Sequence, residues 1–190
     1  RGEGSNSTSK SSLMSASVVN TICREQGGYR LPALNTCLYL NDRGFSPSID
    51  GLEAYTGVRV IHLESNALTA LGDGLHHAKE LRALYLQGNC ISDLSGLERN
   101  ELLDTLNACA NSITRLPPTL PPSLSTVLLA NNALTAAALG PLASLPRLDV
   151  LDLSRNRIEG EEGYTAIAKL GYLAVLYSSG NGFCELAYHR

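Results

Sequence analysis

One apolar pattern recurs along most of the chain and constrains its fold more than any other feature. In its clearest copy, Leu81, Leu84 and Leu86 precede Asn89 and Ile91 with fixed spacing. Five other stretches keep the same frame, at positions 58–68, 103–113, 124–134, 148–158 and 173–183. A degenerate first copy has Leu38, Leu40 and Phe45, with Arg43 in the asparagine slot. That slot recurs every 21 to 25 residues, so the chain contains about seven copies of one structural unit.

The two apolar residues at the centre of each copy are separated by one residue, which is the alternation of a strand with one buried face. Each copy therefore contributes one short strand, and equal spacing stacks the strands in parallel. The asparagine between the apolar slots would be costly to bury unless its amide bonded the backbone of neighbouring turns. We therefore predict a ladder of structural asparagines, made up of Asn66, Asn89, Asn111, Asn132, Asn156 and Asn181.

The segments that return to the next strand differ in composition. After the asparagines of the second and third copies, apolar residues three or four apart over 68–75 and 91–97 predict single turns of 3₁₀ or α-helix. Four prolines between 117 and 122 favour an extended return in the fourth. Alanine-rich residues 134–145 and the longer loop 158–170 predict fuller helices.

These observations predict an α/β leucine-rich-repeat solenoid with about seven repeats. A parallel concave sheet would face a convex side of 3₁₀ and short α-helical returns. Residues 14–33 are predicted to form an N-terminal capping helix and lead-in, since Val18, Val19, Ile22 and Cys23 have helical spacing and a Gly-Gly pair follows. Residues 1–13 are expected to be a disordered tail or an expression remnant, and 34–190 the repeats, with a truncated C-terminal cap.

Composition excludes several kinds of function. A net charge of -3, from 15 basic and 18 acidic residues, gives no strong positive field for nucleic acid. We find no stretch of about 18 apolar residues for a membrane span and no secretory leader. The five cysteines are odd in number and lack zinc-ligand spacing, which favours a reduced cytoplasmic compartment. A monomer without metal or cofactor is expected.

The residues between the buried pair of each strand should point onto the concave sheet, where repeat proteins usually bind partners. Beside them, one step along the strand, lie Glu64, Gln87 and Ser154. Aromatic and polar groups are typical of a protein interface, but tyrosine is also common in solvent-facing strands because of its high strand propensity. A binding surface and an ordinary solvated sheet therefore both stay open as interpretations. The residues between the buried pairs are Tyr39, His62, Tyr85, Asn107, Leu128, Asp152 and Tyr177. All of them except Leu128, together with Glu64 and Gln87, are the candidate partner-binding residues.

Catalytic signatures were sought and not found, whether phosphate loop, serine hydrolase elbow or zinc-protease helix. His76 and His77 are adjacent in a return loop and do not converge easily on one metal ion. His62 is placed to pair with Glu64, but no third group completes an acid–base site. The sequence therefore predicts that the protein is not an enzyme.

Near the N-terminus the sequence resembles a known family. Ile22-Cys23, Leu38-Tyr39-Leu40, Gly44-Phe45, Tyr55-Thr56-Gly57 and Leu63-Glu64-x-Asn66 look like the start of the dynein axonemal assembly factor 1 family, whose repeats are of the short type also found in phosphatase regulators. After residue 66 the match is to the general repeat. The resemblance implies a scaffold for cytoplasmic preassembly of axonemal dynein arms in a cell with a cilium or flagellum. Its partners would be dynein arm subunits, chaperones or other assembly factors.

Two alternatives stay open at this point. One is a regulatory subunit that binds a protein phosphatase, because such subunits have repeats of the same short length. The other is a structural component of the axoneme, like a leucine-rich-repeat light chain seated on a dynein motor. The residues around Phe45 and Tyr55 favour the assembly scaffold.

Overall fold

Each repeat contributes one three-residue strand to a single sheet. The structure, a computed structural model, describes residues 12–170 and 173–182. All strands are parallel and lie in chain order, and the central residue of each pairs with the central residue of the next. The predicted leucine-rich-repeat solenoid is confirmed. The strands are β1 (Cys37–Tyr39), β2 (Val60–His62), β3 (Ala83–Tyr85), β4 (Thr105–Asn107), β5 (Thr126–Leu128), β6 (Val150–Asp152) and β7 (Val175–Tyr177).

The strands are short because a left-handed backbone position follows each of them at the same place. Hydrogen bonds to the next repeat continue for a few residues past each strand, as from Leu63 N to Tyr85 O (2.9 Å). The residue before each asparagine slot then has a positive φ, between +53° and +72°, which turns the chain out of the sheet. These seven residues are Asp42, Ser65, Gly88, Ala110, Asn131, Arg155 and Gly180.

The inward side chains of the repeats form one continuous core. In the third copy, all four apolar slots are completely buried, and the same holds for nearly every apolar slot of the second and fourth to sixth copies. At β7 the inward Leu176 is 37% exposed. Phe183, in the last apolar slot, lies outside the described residues. Burial of this core is the main favourable term in folding, as the repeat pattern predicts.

The slot asparagines bond neighbouring repeats together. Asn89 donates through Nδ2 to Leu63 O and Leu86 O (both 2.9 Å), and its Oδ1 accepts from Leu68 N (3.1 Å). One amide thus joins the carbonyl of its own repeat to a carbonyl and an N–H of the repeat before it. The same three-way pattern recurs at Asn66, Asn111, Asn132, Asn156 and Asn181.

A helix covers the N-terminal end of the core. α1 (Ala16–Glu25) buries Val19, Ile22 and Cys23, whereas Val18, which has the same helical spacing in the sequence, is 36% exposed. Ser12, within the segment predicted to be a tail, instead exchanges backbone hydrogen bonds with Gly44 and Ser46 (2.9 and 3.0 Å). Residues 1–11 of that segment lie outside the described residues.

The convex returns agree with the sequence in part. A 3₁₀ helix (Ala136–Ser144) and α2 (Gly160–Ala168) occupy the two returns predicted to be helical, and the proline-rich return is extended. The prediction of single helical turns over 68–75 and 91–97 was wrong, since those segments contain hydrogen-bonded turns and isolated bridges but no helix. Their backbone instead bridges the neighbouring returns in parallel, Ala70 to Ser48 and Asp93 to Arg115. A further 3₁₀ turn, Pro32–Leu34, leads into β1.

Two buried asparagines outside the ladder were not predicted. Asn35 holds the lead-in loop through hydrogen bonds with Tyr29 N (2.7 Å) and Tyr29 O (3.1 Å). Asn100 is fully buried and donates to Leu75 O and Ala78 O (3.0 and 2.9 Å). Asn100 lies three residues before Leu103, the first apolar slot of its copy. At the same position the second and third copies have Tyr55 and Ala78. A polar residue at a position that is otherwise apolar was the available signal.

Replacement of a ladder asparagine should destabilise the whole solenoid. In Asn89→Ala, Leu68 N loses its partner, and Leu63 O and Leu86 O each lose one of two. We expect the free energy of unfolding to fall by about 3 kcal/mol, measured by urea denaturation. Asn41→Ala is the matched control, since within the described residues that side chain bonds the adjacent Asp42 alone, and a loss of under about 1 kcal/mol is expected. Equal losses would contradict the ladder's role.

The packing of the start of α1 against the Gly51 loop can be tested with two glycines that both have a left-handed backbone conformation. A Cβ at Gly51 (φ +71°) would overlap the Ser15 carbonyl carbon and the Ala16 nitrogen, whereas a Cβ at Gly27 (φ +81°) would meet nothing within 4 Å. Gly27→Ala should cost about 1 kcal/mol, from backbone strain alone. Gly51→Ala should cost about 3 kcal/mol or more, with faster amide hydrogen exchange across α1. Similar exchange in both variants would argue against this packing.

Candidate functional site

The candidate site is the solvent-facing side of the sheet, here called the concave face. Because side chains alternate along a strand, three residues per repeat share this face, namely the last residue of each strand and the residues two before and two after it. The last residues of the strands are Tyr39, His62, Tyr85, Asn107, Leu128, Asp152 and Tyr177, and the sequence predicts all of them except Leu128 as binding residues. The positions two before are Cys37, Val60, Ala83, Thr105, Thr126, Val150 and Val175. The positions two after are Asn41, Glu64, Gln87, Cys109, Ala130, Ser154 and Ser179.

Three rings stack across the first three strands. The His62 ring lies 4.9 Å from Tyr39 and 4.7 Å from Tyr85 between centroids, with interplanar angles of 14° and 7°. In-register parallel strands are about 4.8 Å apart, so equal positions place flat rings face to face. Stacked aromatic pairs are worth about 0.5–1.5 kcal/mol beyond their burial. The stack is therefore set in place before any partner arrives.

Glu64 and Gln87 lie next to the stack. His62 Nδ1 donates to Glu64 Oε1 at 2.8 Å, the pairing that the sequence predicts, and the Glu64 side chain is only 18% exposed. Glu64 Oε2 and Gln87 Oε1 are shielded from solvent and find no hydrogen-bond partner within residues 12–170 and 173–182. Both atoms are acceptors, so this part of the face has a surplus of acceptors.

The other half of the face is flatter and chemically mixed. Asn107 Oδ1 accepts from Cys109 N (3.2 Å), and Asp152 Oδ1 accepts from Ser154 N (2.9 Å), which holds both side chains against their own strands. Leu128 lies between them as an apolar position. The row ends at the exposed Tyr177. The predicted residues thus form one continuous row across seven strands rather than a pocket.

An apolar border extends the face beyond β1. Tyr29, Leu31 and Leu34 are exposed in the lead-in loop, and Tyr39, at the edge of the sheet, is 52% exposed. Gln26 Nε2 donates to Tyr39 O at 2.8 Å and so occupies part of the free strand edge. A hydrogen bond with Cys37 raises the pKa of Tyr39. The sequence analysis missed this border, for which the large apolar residues before β1 were the available signal.

The described residues carry no constellation for catalysis or metal binding. No group of three or more His, Cys, Asp or Glu side chains within them could hold a metal ion. His76 makes a contact of 3.4 Å with Asp73, within its own return turn. A shallow groove of about 390 Å³ lies on the convex side between the Ala136–Ser144 helix and α2, away from the face. None of the helices in the described part of the chain has the length and apolar character needed to cross a membrane.

The parallel sheet with one strand and one slot asparagine per repeat defines the class, that of leucine-rich-repeat proteins. Mouse (Mus musculus) podocan is 33% identical over 136 residues, which are 65% of this chain and 21% of podocan. Human (Homo sapiens) podocan-like protein 1 is 32% identical over 134 residues, 67% of this chain and 26% of that protein. The chain thus spans about a fifth to a quarter of the length of these relatives.

Solved structures show the same fold. An internalin C2 from Listeria monocytogenes aligns with a TM-score of 0.69 and 21% identity, over 88% of this chain and 78% of that chain. A second internalin from the same organism aligns with a TM-score of 0.59 and 19% identity, over 92% of this chain and 61% of that chain. No protein-family model matches the chain.

The electrostatics of the face can be tested at Cys109. Burial raises the pKa of this thiol and so does the nearby Asp152 charge, while a backbone hydrogen bond with Ala130 acts in the opposite direction. Less thiolate then exists at pH 8, so iodoacetamide should modify Cys109 about tenfold more slowly than the exposed Cys90. Peptide mapping by mass spectrometry measures both rates in one sample. Asp152→Asn should raise the modification rate of Cys109 and leave that of Cys90 unchanged. In the wild type, a rate at Cys109 as fast as that at Cys90 would contradict the prediction.

Proposed function

We propose that this protein is a non-enzymatic, protein-binding scaffold that holds a partner on its concave face. Leucine-rich-repeat proteins generally act as protein-binding scaffolds. The observation that carries the proposal is the unbroken row of solvent-facing residues at the ends of the strands, from Tyr39 to Tyr177, which begins with three stacked rings.

The row suits a protein partner for physical reasons. Tyrosine offers a large contact area and a hydroxyl group with few rotatable bonds, so little entropy is lost when a partner is bound. Stacking and the His62–Glu64 hydrogen bond already hold the first half of the row in one arrangement. Since the ladder keeps the strands in register, the face is preorganised as a whole, which favours affinity. A flat row without a nucleophile in register with an acid–base pair supports binding rather than catalysis.

A more specific role is the preassembly of axonemal dynein arms in the cytoplasm. It is supported by the resemblance of residues 22–66 to the dynein axonemal assembly factor 1 family, which includes Gly44-Phe45 and Tyr55-Thr56-Gly57. The podocan relatives and the internalins share the repeat and bear on the fold, not on this role. Dynein arm subunits and chaperones are the partners that this proposal requires.

The test is proximity labelling from the full-length protein in a flagellated cell. The wild type is compared with a Tyr39→Ala, Tyr85→Ala double variant, whose folding is checked by circular dichroism. We expect labelling of the partners to fall at least about tenfold, because buried interface tyrosines each contribute about 1–2 kcal/mol or more. Tyr164→Ala is the control, since Tyr164 is also an exposed tyrosine but lies on α2, on the convex side.

The identity of the labelled proteins separates the roles. Cytoplasmic dynein chains and chaperones, lost in the double variant, would support both the assembly role and the concave site. A phosphatase catalytic subunit, or axonemal proteins that resist detergent extraction, would overturn the assembly role. Labelling that survives in the double variant and falls in Tyr164→Ala would move the binding site to the convex side.

A further inference from the structure

The concave face carries an unbalanced negative charge. Of its 21 positions, Glu64 on the β2 repeat and Asp152 on β6 are acidic, and none is lysine or arginine. His62 is the one other charged or potentially charged group besides tyrosine and cysteine. A partner that lies on this face therefore meets two carboxylates and no fixed positive charge.

The flanks of the face do not cancel this charge. Directly before the strands, Arg59 and Arg82 precede β2 and β3. Asp104 and Asp149 precede β4 and β6, so basic and acidic residues are equal in number there. After the strands, the left-handed positions Asp42 and Arg155 are likewise balanced, and the exposed Arg43 follows Asp42 in the first repeat. The charge of the 21 positions on the face itself is that of Glu64 and Asp152.

Both carboxylates have an oxygen left to accept a further hydrogen bond, although that of Glu64 is shielded from solvent and reaches a partner's donor only after a rotation of the carboxylate. Glu64 Oε1 is bonded by His62, but Glu64 Oε2 and the neighbouring Gln87 Oε1 have no donor in the described part of the chain. Asp152 uses Oδ1 for the Ser154 backbone N–H. Lysine and arginine carry several N–H donors and no acceptor, so they supply what these oxygens lack.

The positions of the two carboxylates set a spacing. β2 and β6 are separated by four strand-to-strand steps of about 4.8 Å, which is about 19 Å. An extended polypeptide advances about 3.3 Å per residue, so about six residues span that distance. Residues six apart in an extended segment point to the same side, so both can face the sheet. Between them the segment crosses Tyr85, Asn107 and Leu128, which are uncharged or apolar.

We propose that the occupant of the concave face is an extended segment of a partner protein with lysine or arginine at two positions six residues apart and apolar or neutral side chains facing the sheet between them. The basic residues pair with Glu64 and Asp152. This inference rests on the proposed function, because it names the chemistry of the partner that the concave face would bind. Acidic segments and nucleic acid are repelled by the same charges.

The test is selection of a random displayed peptide library on the full chain. Peptides selected on the wild type should be enriched in lysine and arginine six residues apart. Their affinity, measured by fluorescence anisotropy on synthetic copies, should fall about tenfold in a Glu64→Gln, Asp152→Asn double variant, which keeps side-chain size and removes both charges. Raised salt should weaken wild-type binding and leave the variant little changed. Glu53→Gln with Glu80→Gln, two exposed acidic residues off the face, is the matched control and should bind like the wild type.

The outcomes separate this inference from the proposed function. Peptides without the basic spacing that nevertheless lose binding in Tyr39→Ala, Tyr85→Ala would overturn the charge inference and leave the concave face as the binding site. Peptides that bind that tyrosine variant and the charge variant as well as the wild type would overturn both. Basic peptides whose affinity is tenfold lower in the charge variant, and unchanged in the control, would support the assignment.

Discussion

The three-way hydrogen bonding of the slot asparagines is the interaction on which the rest of the structure depends. Each amide connects the carbonyl of its own turn with a carbonyl and an N–H of the turn before it, as at Asn89. Unpaired, these backbone groups would be costly to bury. Apolar packing alone would tolerate small shifts between repeats, since hydrophobic attraction is not directional. The ladder removes that freedom, so consecutive strands keep one register along the described repeats.

Register in turn creates the site. Because equal positions face each other on neighbouring strands, Tyr39, His62 and Tyr85 stack, and Glu64 comes to lie beside Gln87. A slip by one residue would turn these side chains into the core and the leucines into solvent. The candidate site and the core thus depend on the same hydrogen bonds. The proposed binding therefore requires no pocket, because the register holds the side chains of the face in fixed positions.

The proposed partner chemistry also follows from the solenoid geometry. In a compact domain, two carboxylates separated by about 90 residues of sequence have no fixed relation, but in a solenoid they are separated by a whole number of strand steps. Podocan and the podocan-like protein share the repeat over part of their length, and the internalins share the fold. Because a shared fold does not fix function, these likenesses assign no specific role to this chain, and the proposed binding depends on the side chains at the ends of its strands.

The sequence by itself determined the solenoid, the number of repeats, the asparagine slots and the solvent-facing residue at the end of each strand, because all of these follow from one periodic pattern. It failed over 68–75 and 91–97, where apolar residues have helical spacing but the backbone bridges the neighbouring returns instead, and it missed Asn35 and Asn100, whose partners are set by packing. Only the tertiary structure decided that His62 is stacked between two tyrosines and that Glu64 has an oxygen without a donor in the described part of the chain. Those facts depend on side-chain positions in neighbouring strands, more than 20 residues apart in sequence, and no local pattern encodes them.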